Sequence, residues 1–131
     1  MSVLETVLYV DDDPDLRAMA ELALSGVGGM RVVLCDDGAS APALAHEHGV
    51  QLVLLDVLMP GMDGPATLKA LRAYPVTVET PVIFVTACDQ PEERSSLLAL
   101  GAAGVMTKPL DLMGMAAEVR SLWAAFTSRT G

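Results

Sequence analysis

The sequence predicts an α/β fold: a doubly wound, five-stranded parallel sheet with helices on both faces. Two observations carry this expectation. Short apolar runs alternate with helix-like segments in the order β-α-β-α-β-α-β-α-β-α, the pattern of crossover-connected parallel strands. The runs are continuously apolar rather than alternating, as strands covered on both faces are.

Strands are expected at residues 7–10, 31–35, 51–55, 82–85 and 105–107. The first helix is expected over 14–25. Asp13 suits its N-cap and Pro14 its first helical position. Leu16, Met19, Ala20, Ala23 and Leu24 share one face at helical spacing. Gly26 is its expected stop, with Gly28 and Gly29 loosening the connection that follows. The second helix spans 39–48, where Pro42 fits only within the first turn. The third runs over 65–74 and ends before Pro75. The fourth covers 91–100, with Asp89 or Gln90 near its cap and Glu92 and Glu93 in a first turn whose dipole favours them. The last spans 111–126, and residues 127–131 read as a tail. With no repeat, low-complexity tract or linker, residues 1–131 read as one domain.

Composition narrows the function. At 131 residues, 52% hydrophobic and 19% charged, the chain can bury a real core. No apolar run approaches the ~20 residues that span a bilayer. No basic segment followed by an apolar one opens the chain, so a cytoplasmic location is expected. The net charge of −9, with eight Lys and Arg, argues against nonspecific nucleic-acid binding and permits a cation site. Cys35 and Cys88 lie in apolar segments without CxxC spacing and read as reduced, mostly buried thiols.

The first polar residues after the apolar runs carry the chemistry. The first run ends in Asp11, Asp12 and Asp13, the third in Asp56, the fourth in Thr86 and the fifth in Lys108. Ligands of open α/β sheets bind at such carboxyl ends, where the strand order reverses. Strands 1 and 3 side by side would bring Asp11, Asp12 and Asp56 together, rimmed by Thr86 and Lys108. Clustered carboxylates repel unless a cation sits among them. Few hard oxygen ligands at a sheet edge suit Mg²⁺ with several retained waters. A dication, a lysine, a hydroxyl and a carboxylate nucleophile can together accept a phosphoryl group.

The segments Y-V-D-D-D-P-D, L-V-L-L-D-V-L-M-P-G-M-D-G, V-I-F-V-T-A and G-V-M-T-K-P resemble the receiver domain of two-component response regulators. The resemblance runs from about residue 4 to 126. It implies the flavodoxin-like strand order 2-1-3-4-5. It implies Asp56 as phosphoacceptor, served by a phosphohistidine of a sensor histidine kinase or phosphotransfer protein. Asp12 would bind Mg²⁺ (or Mn²⁺) directly, Asp11 largely through water, and the Leu58 backbone carbonyl would add a ligand. Thr86 and Lys108 would contact the phosphoryl oxygens. Lys108–Pro109 would be a cis peptide, and Pro60, Gly61 and Gly64 would shape the loop after Asp56.

The sequence departs from the family pattern at several positions. Val105 stands where the family commonly has Tyr or Phe, whose ring turns inward on activation, so an aromatic switch is absent there. Leu110 replaces the usual Phe after Lys-Pro. Leu58 and Cys88 flank the expected path of hydrolytic water and are poor at positioning it, which implies a long-lived phosphorylated form.

Competing readings are weaker on the residues. Asp13 reads as a helix cap and Asp63 as support for the turn before Gly64. Asp11, Asp13 and Asp15 have calcium-loop spacing, but Leu16 and Leu22 occupy the positions that need Gly and Glu. Asp11-x-Asp13 resembles the motif of haloacid-dehalogenase-type phosphohydrolases, but Asp15 stands where that motif wants Thr or Val. A phosphorylation-independent interaction module is the third reading, which Val105 favours. His46 and His48 read as solvated side chains, and Met59, Met62, Met106, Met113 and Met115 as packing or loop filler. The segment 91–126 carries few charges, so a monomer or weak dimer is expected, with an unidentified downstream protein as output. A stand-alone receiver and a fragment of a longer regulator or hybrid kinase both fit.

Overall fold

The order of elements follows the expected alternation in a computed structural model that describes residues 3–130. They are β1 (Thr6–Val10), α1 (Pro14–Glu21), β2 (Arg31–Cys35), α2 (Ala41–His48), β3 (Leu52–Asp56), α3 (Gly64–Ala73), β4 (Val82–Thr86), α4 (Pro91–Ala99), β5 (Gly104–Thr107) and α5 (Met115–Thr130). The five strands are parallel, in the order β2-β1-β3-β4-β5. Because β1 pairs with both β2 and β3, the order reverses there, and a crevice opens at the carboxyl ends of β1 and β3.

Strand residues alternate between two cores. Val7, Tyr9, Leu52, Leu54, Ile83, Val85 and Met106 pack with Ala20 and Ala23 and with Met115, Val119 and Trp123 of α5. Leu8, Val10, Val53, Leu55, Phe84 and Val105 pack on the other face against Ala41 and Ala45 of α2, Leu68 and Leu71 of α3, and Leu97 of α4. Both faces are therefore covered, which is why the strands read as unbroken apolar runs.

The starts of α1, α3 and α4 match the sequence expectation to within a residue, while α2 begins at Ala41, two residues later than expected. Asp13 caps α1, accepting from the Asp15 N–H at 2.9 Å. Pro42 lies in the first turn of α2. Asp63 caps α3, accepting from the Ala66 N–H at 2.9 Å. Several ends differ from expectation. α1 does not stop at Gly26 but continues as a π-helical segment, Leu22–Val27. It ends where Gly28 packs on α5; a Cβ there would lie 2.6 Å from the Ala116 Cβ. α5 begins at Met115, four residues later than expected, because the Asp111 carboxylate accepts the Met113 N–H at 3.2 Å in a turn before it. It then runs to Thr130, through 127–130 where a tail was expected; Gly131, the end of that tail, lies outside the described residues. Within α5 the Trp123 indole donates to the Gln51 carbonyl at 3.3 Å and pins the helix to the start of β3. Cys35 is buried, whereas Cys88 is half-exposed, and both are free thiols. Met115 and Met106 belong to the core, while Met113 is 73% exposed.

One glycine ties fold to site. Gly64 opens α3, and a Cβ there would lie 2.7 Å from the Asp56 carbonyl oxygen and 2.9 Å from the Val57 Cα. Backbone atoms cannot step aside as a flexible side chain can. Gly64→Ala is expected to destabilise the protein by about 1–3 kcal/mol, the usual cost of overpacking, read as a lower urea midpoint. An unchanged midpoint would contradict this account.

Candidate functional site

The carboxyl ends of β1, β3, β4 and β5 bring the expected residues together. Asp11 follows β1 and is fully buried; Asp56 ends β3 and is 4% exposed. Asp12 is exposed at the rim. Carboxylate oxygens of Asp11, Asp12 and Asp56 all lie within 4.8 Å of one another. Lys108, just past β5, reaches Asp56 Oδ1 at 2.9 Å and Asp11 Oδ2 at 3.5 Å. Its backbone N–H donates to the Thr86 carbonyl at 2.8 Å, which fixes the stem of the side chain beside β4. The Lys108–Pro109 peptide is cis, as the resemblance implies. Leu58 lies two residues past Asp56 in the β3–α3 loop, with its side chain 78% exposed.

Thr86 ends β4 and is 4% exposed. Its hydroxyl donates to Glu93 Oε2 at 3.0 Å and accepts the Cys88 N–H at 3.1 Å. The threonine is thus at the expected place, but its proton is given to α4 rather than to the acidic cluster.

Three contacts around the site were not read from the sequence. The Tyr9 phenol, fully buried in β1, donates to Asp11 Oδ2 at 2.9 Å. Strand residues two apart share a face, so Tyr9 two positions before Asp11 was a signal that could have been read. Arg17 of α1 donates to the Asp11 carbonyl at 2.8 Å, and Glu93 holds Thr86. Neither of these two pairings has a marker in the sequence.

Charge balance sets the chemistry. Burial pushes the Asp56 carboxyl up; the hydrogen bond from Lys108 opposes this and the Asp11 charge adds to it, leaving it above the ordinary aspartate value. Burial alone would lower the Lys108 amine, but its bond to Asp56 and the charges of Asp11 and Asp56 outweigh burial and raise it. Burial first, and then the Asp11 charge, raises the Tyr9 phenol far above its usual value, so it is a neutral donor. Three carboxylates thus face one ammonium. The remaining charge and the all-oxygen donor set fit a hard dication such as Mg²⁺.

A sheet of this order, with acidic groups and a lysine gathered at its switch point, defines the CheY-like class of signalling domains. The chain belongs to the response regulator receiver domain family, whose model matches residues 7–120. This family comprises the phosphoacceptor modules of two-component signalling; it is a signalling domain, not itself an enzyme, and typically binds Mg²⁺. The response regulator PleD of Caulobacter vibrioides is 42% identical over 86 residues, covering 66% of this chain and 19% of that protein. The transcriptional regulatory protein TrcR of Mycobacterium tuberculosis is 36% identical over 116 residues, 88% of this chain and 44% of TrcR. The chain therefore spans less than half the length of these two relatives. Among solved structures, the chemotaxis protein CheY4 of Vibrio cholerae matches with a TM-score of 0.82 at 29% identity, covering 92% of this chain and 99% of that one. The signal receiver domain of NarL from M. tuberculosis matches with a TM-score of 0.80 at 34% identity, covering 93% and 98%.

The raised Asp56 carboxyl has a consequence for stability. A carboxyl whose folded value lies above its unfolded value binds its proton more tightly in the native state, so stability falls as pH rises through that window. At neutral pH the ionised Asp56 is therefore a liability in the metal-free protein. Asp56→Asn is expected to raise the thermal midpoint of metal-free protein at pH 7, with the gain shrinking as the pH falls and the wild-type carboxyl becomes neutral. A lower midpoint at pH 7 would mean that the ion pair with Lys108 outweighs the repulsion.

Proposed function

We propose that this protein accepts a phosphoryl group on Asp56 from a phosphohistidine of a sensor histidine kinase or a phosphotransfer protein, in a Mg²⁺-dependent reaction, and then presents an altered surface to a downstream protein. The observation that carries this reading is the Lys108 ammonium 2.9 Å from Asp56 Oδ1, beside two further carboxylates.

The Asp56 carboxylate attacks phosphorus, the P–O bond forms, and the P–N bond to the donor imidazole breaks. Lys108 holds positive charge where the phosphoryl oxygens arrive. Thr86, at the end of the adjacent strand, offers a hydroxyl to one of those oxygens. Asp11, Asp12, Asp56 and the Leu58 carbonyl would hold Mg²⁺, with Mn²⁺ as a substitute. When bound, the ion supplies charge neutralisation between the nucleophile and the incoming group. Tyr9 and the Asp13 N–H, which donates to Asp11 Oδ1 at 3.0 Å, fix the Asp11 carboxylate.

The same contacts weigh against a phosphohydrolase with Asp11 as nucleophile. Both of its oxygens are engaged, by Tyr9, Lys108 and Asp13. The output partner acts through a surface of α4, β5 and α5, and we assign a monomer or weak dimer to the cytoplasm. A separate regulator and the receiver part of a longer one are both compatible with this function.

Intact-mass measurement after incubation with acetyl phosphate and Mg²⁺ tests the acceptor. A phosphoryl adduct is expected on wild type, lost in Asp56→Asn and without the metal; an adduct that survives in Asp56→Asn would refute the assignment. The lifetime of that adduct is a separate test. Leu58 and the half-exposed Cys88 offer no carboxylate or amide to orient attacking water. The adduct is expected to persist for many minutes, and Cys88→Glu to shorten it; decay within seconds in wild type would overturn this point.

A further inference from the structure

We propose that Glu93 is a latch on Thr86, holding its hydroxyl away from the phosphoacceptor until a phosphoryl group on Asp56 draws it off. This rests on the reading above, in which Asp56 takes the phosphoryl group and Thr86 then bonds it.

A threonine hydroxyl has one proton to donate. In Thr86 that proton goes to Glu93 Oε2 at 3.0 Å, and the hydroxyl oxygen accepts the Cys88 N–H at 3.1 Å. The bond is charge-assisted and therefore stronger than one between neutral groups. Thr86 is 4% exposed and Glu93 half-buried, so water competes weakly for either. Donation to a phosphoryl oxygen requires this bond to break. A phosphoryl dianion acts on it twice in the same direction: it attracts the hydroxyl proton and repels the Glu93 carboxylate.

The released carboxylate has somewhere to go. Glu93 is the third residue of α4, after Pro91 and Glu92, and the N-cap Gln90 makes no side-chain capping bond. A glutamate at this third position can reach back to the cap residue's own backbone N–H. The first turn of α4 therefore has two carboxylate arrangements, one bonded to β4 and one folded onto its own helix start. The latch gives the site a route to α4 that needs no turning aromatic, and Val105, 2% exposed in the core beside Phe84, supplies none.

The test is a double-mutant cycle read by the initial rate of adduct formation with acetyl phosphate at saturating Mg²⁺. Glu93→Ala is expected to raise the rate about 3- to 10-fold, the change that one half-buried hydrogen bond carries. Glu93→Gln, which keeps an acceptor oxygen, should raise it less. In a Thr86→Val background, Glu93→Ala should change nothing, because no hydroxyl remains to release. A helix-capping role alone would not depend on Thr86. A second readout uses metal-free protein: the Cys88 amide resonance should move in Glu93→Ala in the direction that phosphorylation moves it in wild type. A wild-type rate in Glu93→Ala, or an equal gain with and without the Thr86 hydroxyl, would overturn the latch while leaving the acceptor assignment standing. No adduct on wild type at all would overturn both.

Discussion

Asp11 and Asp56 are ionisable groups with almost no access to water, 0% and 4% exposed, at the edge of an apolar sheet. Charges in such a place are strongly disfavoured unless they are paired and hydrogen-bonded. Much of the surrounding structure follows from that constraint. The Tyr9 phenol and the Asp13 amide take the two oxygens of Asp11, and Lys108 spans both carboxylates. Among the described residues, no buried side-chain polar atom lacks a partner. Yet the pairing is incomplete in charge, since one ammonium faces three carboxylates. The site is held together by geometry and left short of positive charge, which is the condition a cation-binding site requires before its ion arrives.

The strand order makes this arrangement possible. Only a sheet in which β1 lies between β2 and β3 sets the ends of β1 and β3 next to each other without a connection crossing the crevice. The two cores then fix the strand ends from opposite sides. Tyr9 faces the α1 and α5 side and supports Asp11 from beneath, while Gly64 lets the start of α3 close over the Asp56 backbone. Support for the site is thus drawn from core residues as much as from polar ones.

Much of this was legible in the chain. The five strands, the helix order and the placement of Asp11, Asp12, Asp56 and Lys108 followed from apolar runs and the residues that end them. Pro14 and Asp13 marked the start of α1 and Pro42 the first turn of α2 correctly because those signals act within three or four residues, whereas Asp63, read as support for a turn, is the cap of α3. What escaped depends on how the elements pack and turn in space. The π-helical extension past Gly26 is set by packing against α5. The late start of α5 reflects a local Asp111 turn, and its docking on the sheet a Trp123 bond to Gln51, 72 residues away. Glu93 read as a favourable charge in a first turn, which it is; that its carboxylate also meets Thr86 depends on how α4 lies on β4.

That last contact changes what a threonine at the end of a strand means. A free hydroxyl there would merely wait for a phosphoryl oxygen, and its capture would alter nothing beyond the site. A hydroxyl already bonded to a neighbouring helix exchanges one partner for another, so its capture is felt in α4. The size of the response is then bounded by the difference between two hydrogen bonds, which is smaller than the about 1.5–3 kcal/mol that one bond to a charged group contributes. A gap of that size leaves both arrangements populated, and one phosphoryl group shifts the balance between them. A sheet this tightly packed deforms little, so a discrete exchange of partners at its edge is a physically economical way for it to signal.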